Sequence, residues 1–211
     1  MNISSYRKEY IASEISEESI EKDPITQFGH WMEDALASDE PEPTAMSLST
    51  FGTDGFPGSR IVLLKSFNEQ GFIFFTNYDS EKGRAILLNS AVGLLFFWPQ
   101  LERQVRVSGF AEKVSSEISE NYYKSRPLAS RIAAWASEQS REIPSRKALE
   151  NRFKEMELKF KSQEPPLPPF WGGFRVIPKK IEFWQGRANR LHDRILYEKS
   201  NAIWVIKRLA P

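Results

Sequence analysis

The sequence predicts an antiparallel, mixed α and β fold, a barrel or sandwich of about six or seven strands with helices around it. Three observations carry this. Alternating or wholly apolar segments recur at hairpin spacing between residues 44 and 114, and again from 174 to 209. Helical patterns are inserted between these strands rather than following each of them. No strand leads into a Gly-x-Gly-x-x-Gly turn, so a dinucleotide-binding βαβ unit is unsupported. The chain of 211 residues reads as one domain, 23–211, preceded by a mobile arm, 1–22.

The arm is polar and rich in Ser and Glu, with room for a short helix at 6–12. Asp23-Pro24 starts a helix, with an N-capping acid before a proline whose missing N–H costs nothing there. Its apolar face is Ile25, Phe28, Trp31, Met32 and Leu36. Strands follow at 44–50, 59–67 and 71–76, separated by turn signals at Thr53-Asp-Gly55 and at 68–71. Ser80 caps a helix at 81–89. The apolar run 91–98 reads as a strand buried on both faces, and 103–114 alternates as its partner. Helices are expected at 116–125, 128–137 and 145–161, the last with a stripe of Leu149, Phe153, Met156 and Phe160. Strands at 174–184, 191–197 and 202–209 complete the chain.

Composition narrows the function. Hydrophobic residues make up 40% and charged residues 27%, as in a soluble globular protein. Lys+Arg 29 against Asp+Glu 28 leaves +1, so no global field draws the chain to nucleic acid or an anionic membrane, and any anion site must be local. There is no cysteine, which excludes disulfides, thiolate metal sites and cysteine nucleophiles. No metal-ligand spacing and no Ser-His-Asp arrangement stands out. His30 belongs to an amphipathic helix and reads as structural. The N-terminus has no apolar signal core, and no apolar run is long enough to span a membrane, so a cytoplasmic protein is expected.

The polar residues that interrupt apolar strands are the candidates for chemistry. In the stretch 182–194, Arg190, His192 and Arg194 share one face if the chain there is extended. Such a face is either an anion site with a histidine able to titrate near neutral pH or a solvated edge strand. Arg60-Ile-Val-Leu-Leu-Lys65 puts two cations around four aliphatics. Both reach one ligand only if the strand ends or bulges there; otherwise they snorkel from a core strand. Thr76, Ser80 and Lys82 lie where a strand enters a helix N-terminus, which suits an anion or an ordinary cap. Gln104 shares a strand face with Arg106 and offers a donor and an acceptor to an amide-rich heterocycle. Tyr122, Arg126 and Ser130 follow at helical spacing, as a phosphate clamp or a helix–helix network. Together, cations, aromatics and amides point to a flat, phosphorylated heterocycle.

In the order Arg60-Ile-Val-Leu-Leu-Lys65, Phe75-Thr-Asn77, Leu101-Glu-Arg-Gln-Val105, Ser125-Arg-Pro127, Phe170-Trp-Gly-Gly-Phe-Arg175, Ile181-Glu-Phe-Trp-Gln-Gly186, Arg190-Leu-His-Asp-Arg194 and Arg208-Leu-Ala-Pro211, the chain resembles the pyridoxine/pyridoxamine 5′-phosphate oxidase family from about residue 6 onward. The resemblance implies a split β-barrel homodimer with FMN at the subunit interface. It implies oxidation of pyridoxamine or pyridoxine 5′-phosphate to pyridoxal 5′-phosphate, by net hydride transfer from substrate C4′ to flavin N5, with O2 as the electron acceptor. By motif, FMN contacts fall on Arg60, Ile61, Val62, Leu63, Leu64, Lys65, Phe75, Thr76, Lys82, Gln104, Gln139, Ser140, Trp184 and Arg194. Substrate contacts fall on Lys65, Tyr122, Arg126, Ser130, Arg190 and His192, with Arg190 and His192 at the reacting end. Arg7 and Tyr10 belong to a segment that can close over the substrate. Glu81 departs from the pattern: it stands where the family commonly has an arginine that pairs with phosphate. Arg187 is left without a role.

Overall fold

The structure, a computed structural model, describes residues 1–5, 9–11 and 13–211. Its elements run α1 (Pro24–Ala37), β1 (Ala45–Phe51), β2 (Pro57–Leu63), β3 (Ser66–Asn68), β4 (Gly71–Asn77), α2 (Glu81–Leu88), β5 (Ala91–Trp98), β6 (Arg103–Lys113), α3 (Ser116–Ser125), α4 (Leu128–Ala136), α5 (Arg146–Lys159), β7 (Trp171–Gln185), a 3-10 turn (Ala188–Arg190), β8 (Asp193–Ser200) and β9 (Ile203–Arg208). All strand pairs are antiparallel, in one sheet ordered β2-β1-β5-β6-β7-β4-β3, with β8 and β9 added beside β7.

The long strand β7 organises the sheet. One edge pairs with β6 along its length; the other pairs with β4 through residues 171–176 and with β8 through 180–185. The two halves are offset by a bulge opposite Ser108 and Gly109, where Pro178 also sits. A bulge is where a strand tolerates a residue without an N–H, and it bends the strand. The curled sheet buries Phe72, Phe74, Phe96, Val105, Val107, Phe174, Val176, Ile181, Phe183 and Ile195 on its concave side.

Helix α1 closes that side. Asp23 accepts from the Thr26 amide, and Pro24 occupies the first turn. Phe28 sits at 4.9 Å from Phe67 and Phe72 and 5.0 Å from Phe96, with Trp31, Met32 and Ala35 buried beside it. Leu36, expected on this face, is exposed. It lies about 80° around the helix from Phe28, and Ala35 takes the inward place.

Three further expectations change. The strand expected at 59–67 is two strands. β2 ends at Leu63; the Leu64 amide then bonds Thr44 and the Lys65 amide bonds Ile73, so the chain crosses from β1 to β4. The strand expected from residue 191 starts at Asp193, because Asn189 and Arg190 take left-handed backbone angles (φ 57° and 61°). Arg190, His192 and Arg194 therefore do not share one strand face. The stripe on α5 is half-buried, at Leu149, Phe153 and Met156, and its last member, Phe160, falls just past the end of the helix and is buried.

Residues 9–11 and 13–21 run beside the C-terminal half of the sheet. The Ile11 amide donates to Glu102 (2.7 Å), the Ile15 amide to Asp193 (3.2 Å) and the Tyr197 hydroxyl to the Glu21 carbonyl (2.7 Å). Arg208 pairs with Glu17 at 2.8 Å and holds its carboxyl at about 2. Arg187 pairs with Glu14 (2.8 Å) and Asp193 (3.1 Å), which gives it a role the sequence did not show. Arg7 lies outside the described residues.

Candidate functional site

A cavity of about 400 Å³ opens where β2, β4, α3 and α4 meet. Ile61, Val62, Leu63, Lys65, Phe75, Thr76, Lys82, Tyr122, Arg126, Ser130 and Gln139 all line it. The break after β2 explains how Lys65 joins the aliphatic residues: the strand has ended, so strict alternation no longer applies. On α3, Tyr122 is one turn before Arg126, and Ser130 follows one turn further across Pro127.

The cavity is cationic at two points. At one, buried Lys82 reaches Gln139 Oε1 (3.3 Å), which also accepts from the Thr76 hydroxyl (3.4 Å). Burial lowers the Lys82 pKa most, the nearby Arg60 adds to this, and Glu81 partly offsets it. At the other, the Arg126 guanidinium lies 4.8 Å from the centre of the Trp171 ring. Its Nη1 is buried without a hydrogen-bond partner, and burial lowers its pKa. A buried guanidinium nitrogen without a partner among the described residues is costly unless an anion meets it. Tyr122 stacks on Phe75 at 3.9 Å, and Trp171 lies nearly parallel to both. Trp171 had no role assigned from sequence. Its signal was the Gly172-Gly173 pair that follows: a Cβ at Gly173 would come within 2.8 Å of the Phe75 ring.

A second group lies elsewhere on the sheet. Gln104, Trp184 and Arg194 stand directly opposite one another across β6, β7 and β8. His192 lies 4.7 Å from Trp184, and Tyr10 meets both rings edge-on at 5.6 Å. Gly186 makes room, since a Cβ there would be 2.8 Å from the Tyr10 ring. The Arg187 amide donates to His192 Nδ1 (3.1 Å), so in the neutral ring the proton is on Nε2. Arg190 is exposed in the same turn.

No residue of the second group lines the cavity. Ile61 and Glu182 stand in one transverse row, four strand spacings apart through β1, β5 and β6. At about 4.8 Å per spacing that is roughly 19 Å along the sheet. Three other sequence candidates are also absent from the cavity wall. Leu64 points into the core. Ser140 is exposed, with φ 67°. Arg60 donates to the carbonyls of Leu48 and Gly58, to Thr50 and to Glu81 (3.2 Å). Glu81, which stands where the family commonly has an arginine, therefore pairs with Arg60.

Among the described residues, no cluster of three or more His, Asp or Glu could hold a metal, and no helix is long and apolar enough to cross a membrane. A curled antiparallel sheet with a cationic, aromatic-walled cavity at its rim defines a protein of the split β-barrel class. The chain belongs to the pyridoxine/pyridoxamine 5′-phosphate oxidase family, a family of oxidoreductases. The sequence profile "Pyridoxamine 5′-phosphate oxidase" matches residues 32–160, and "Pyridoxine 5′-phosphate oxidase C-terminal dimerisation region" matches 171–211. The pyridoxine/pyridoxamine 5′-phosphate oxidase of Cupriavidus pinatubonensis is 51% identical over 99% of both chains. That of Nostoc punctiforme is 50% identical over 99% of this chain and 98% of its own. Among solved structures, PhzG of Burkholderia lata, in complex with tetrahydrophenazine-1-carboxylic acid, superposes with a TM-score of 0.86 at 29% identity, over 92% of this chain and 95% of its own. A pyridoxamine 5′-phosphate oxidase-related, FMN binding protein of Nostoc punctiforme shares the fold, with a TM-score of 0.69 at 18% identity, over 87% of this chain and 95% of that one.

Proposed function

We propose that the protein is an FMN-dependent oxidase that converts pyridoxamine or pyridoxine 5′-phosphate to pyridoxal 5′-phosphate, passing electrons to O2, and that it works as a homodimer. The observation that carries this is the division of the site. The cavity and the Gln104–Trp184–Arg194 row carry complementary groups, yet one chain holds them about four strand spacings apart. A two-fold partner brings its row to the cavity, as an isologous interface does. The outward face between them presents Ile61, Phe97 and Phe110 at 65%, 55% and 47% exposure, which suits burial against a second copy.

The residues present fit FMN. Lys82, Thr76 and Gln139 form a compact donor set for its phosphate, and Ile61, Val62 and Leu63 make an apolar wall for its rings. Arg126, unpartnered at Nη1, fits a second anion, the substrate phosphate, with Lys65, Tyr122 and Ser130 beside it. FMN, when bound, supplies the two-electron acceptor; the chain supplies binding and orientation. From the partner, Trp184 and Gln104 flank the flavin and Arg194 adds a cation. Arg190 and His192 position the substrate at its reacting end, with Nε2–H of His192 as a donor. Arg7 and Tyr10 bring the arm over the site.

The test is anaerobic bleaching. Purified protein loaded with FMN should be yellow, and pyridoxamine or pyridoxine 5′-phosphate should bleach it in the absence of air. Protein that cannot be loaded with FMN defeats the reading. Yellow protein that neither compound bleaches points to a different substrate or to a carrier.

A further inference from the structure

We infer that Glu182 and the main-chain carbonyl of Ala210 are positioning groups for Arg194, and that they set how firmly the partner-facing half of the site holds the flavin. This rests on the flavin reading above.

Glu182 points to the outward face of the sheet, two residues before Trp184, yet it is only 7% exposed. A carboxylate so placed needs partners for both oxygens. Oε1 accepts from Arg194 Nε (2.9 Å) and Oε2 from Arg194 Nη2 (3.1 Å), a two-point fork that fixes the guanidinium plane. Oε2 also accepts from Arg106 Nη1 (3.3 Å), so two cations share one anion and the face keeps a net positive charge. The remaining side of Arg194 is held from the C-terminus: Nη1 donates to the Ala210 carbonyl (2.9 Å), and the Leu209 amide donates to the Arg194 carbonyl (2.9 Å). Arg194 stands directly opposite Trp184 in register, so the fork and the tail carbonyl fix its guanidinium on the face of the sheet that carries that ring. Neither Glu182 nor the last two residues lines the cavity, and neither is needed to fill the core. Their contacts converge on one side chain.

The test is an FMN titration of apo-protein, followed by flavin fluorescence and the visible flavin spectrum. It compares wild type, Glu182→Gln, Glu182→Asp and a chain ending at Leu209. Glu182→Gln should weaken FMN binding by about 10-fold or more, since a two-point fork on a carboxylate becomes a single bond to a neutral amide oxygen. Glu182→Asp should recover part of this, and the chain ending at Leu209 should lose about 3-fold to 10-fold. Both Glu182→Gln and the shortened chain should shift the visible flavin band. The residues removed at the end are exposed, so the shortened apo-protein should melt as wild type does. Wild-type affinity and spectrum in both Glu182→Gln and the shortened chain overturn the inference. If Glu182→Gln does not fold, the shortened chain decides alone. Failure of wild type itself to bind FMN defeats the flavin reading instead.

Discussion

Lys82 shows how position alone sets the behaviour of a single group. Burial, and then Arg60, push its pKa below lysine's ordinary 10.5, with Glu81 pushing back. The cavity thus makes the ammonium easier to deprotonate than that of an exposed lysine, whereas a phosphate needs the ammonium. Affinity for FMN should be full while Lys82 is charged and should fall as pH rises through its lowered pKa, before an exposed lysine would titrate. FMN titrations between about pH 7 and about pH 10 should show that decline, and Lys82→Arg should flatten it. Affinity independent of pH in the native protein would remove Lys82 from the phosphate site. Residue types here were legible: Tyr122, Arg126 and Ser130 follow from helical spacing and do meet at one cavity. Partners were not. Glu81 looked like a misplaced acid at its helix N-terminus, and only the folded chain shows Arg60 held beside it by two carbonyls and Thr50. Trp171 was hidden for a similar reason, because nothing local places its ring under Arg126.

Elements were legible where periodicity and caps agreed. Asp23 and Ser80, read as caps, each accept an amide in the first turn of the helix they precede, and Ser115 and Ser145, not read as caps, do the same. The misses are places where the chain changes partners. The strand through Lys65 reads as one apolar run, but it breaks because its amides leave β1 for β4. The stretch before Asp193 reads as extended, but two successive left-handed residues turn it. The β8–β9 hairpin carries a related strain: Asn201 and Ala202 both have positive φ (48° and 70°), the geometry of a type I′ turn. Alanine there costs roughly 1 kcal/mol that glycine does not. Ala202→Gly should therefore raise the melting temperature by about 2 to 4 °C in a thermal scan. A lower melting temperature would show that chain flexibility outweighs the relieved strain.

At the scale of the molecule, the candidate residues fall into two groups that lie apart in one chain, and the proposal is that a second copy brings them together. The cavity sits where β2 and β4 approach each other, while Gln104, Trp184 and Arg194 sit across β6, β7 and β8. Phe97 stands opposite Gln104 on that outward face and is 55% exposed. Phe97→Glu should place a charge in the dimer interface and raise the dimer dissociation constant by about 100-fold or more. Analytical ultracentrifugation would show the monomer, and FMN should be lost with the dimer because neither chain alone completes the site. A Phe97→Glu protein that remains dimeric and yellow would place the interface on another face.

The sequence by itself determined the mixed antiparallel class, most element boundaries, the helix caps and the inventory of cations, aromatics and amides available for an anionic heterocycle. These depend on periodicity, turn chemistry and side-chain type, which are local. Only the tertiary structure decided that Lys65 joins the cavity at a strand break and that Arg60 is taken up by carbonyls and Glu81. It also decided that Ile15, Glu17 and Glu21 bond to the C-terminal hairpin and that the site residues fall into two groups. Those outcomes depend on which distant segments share a hydrogen-bonded row, and pairing across a curled sheet is set by the packing of the whole chain.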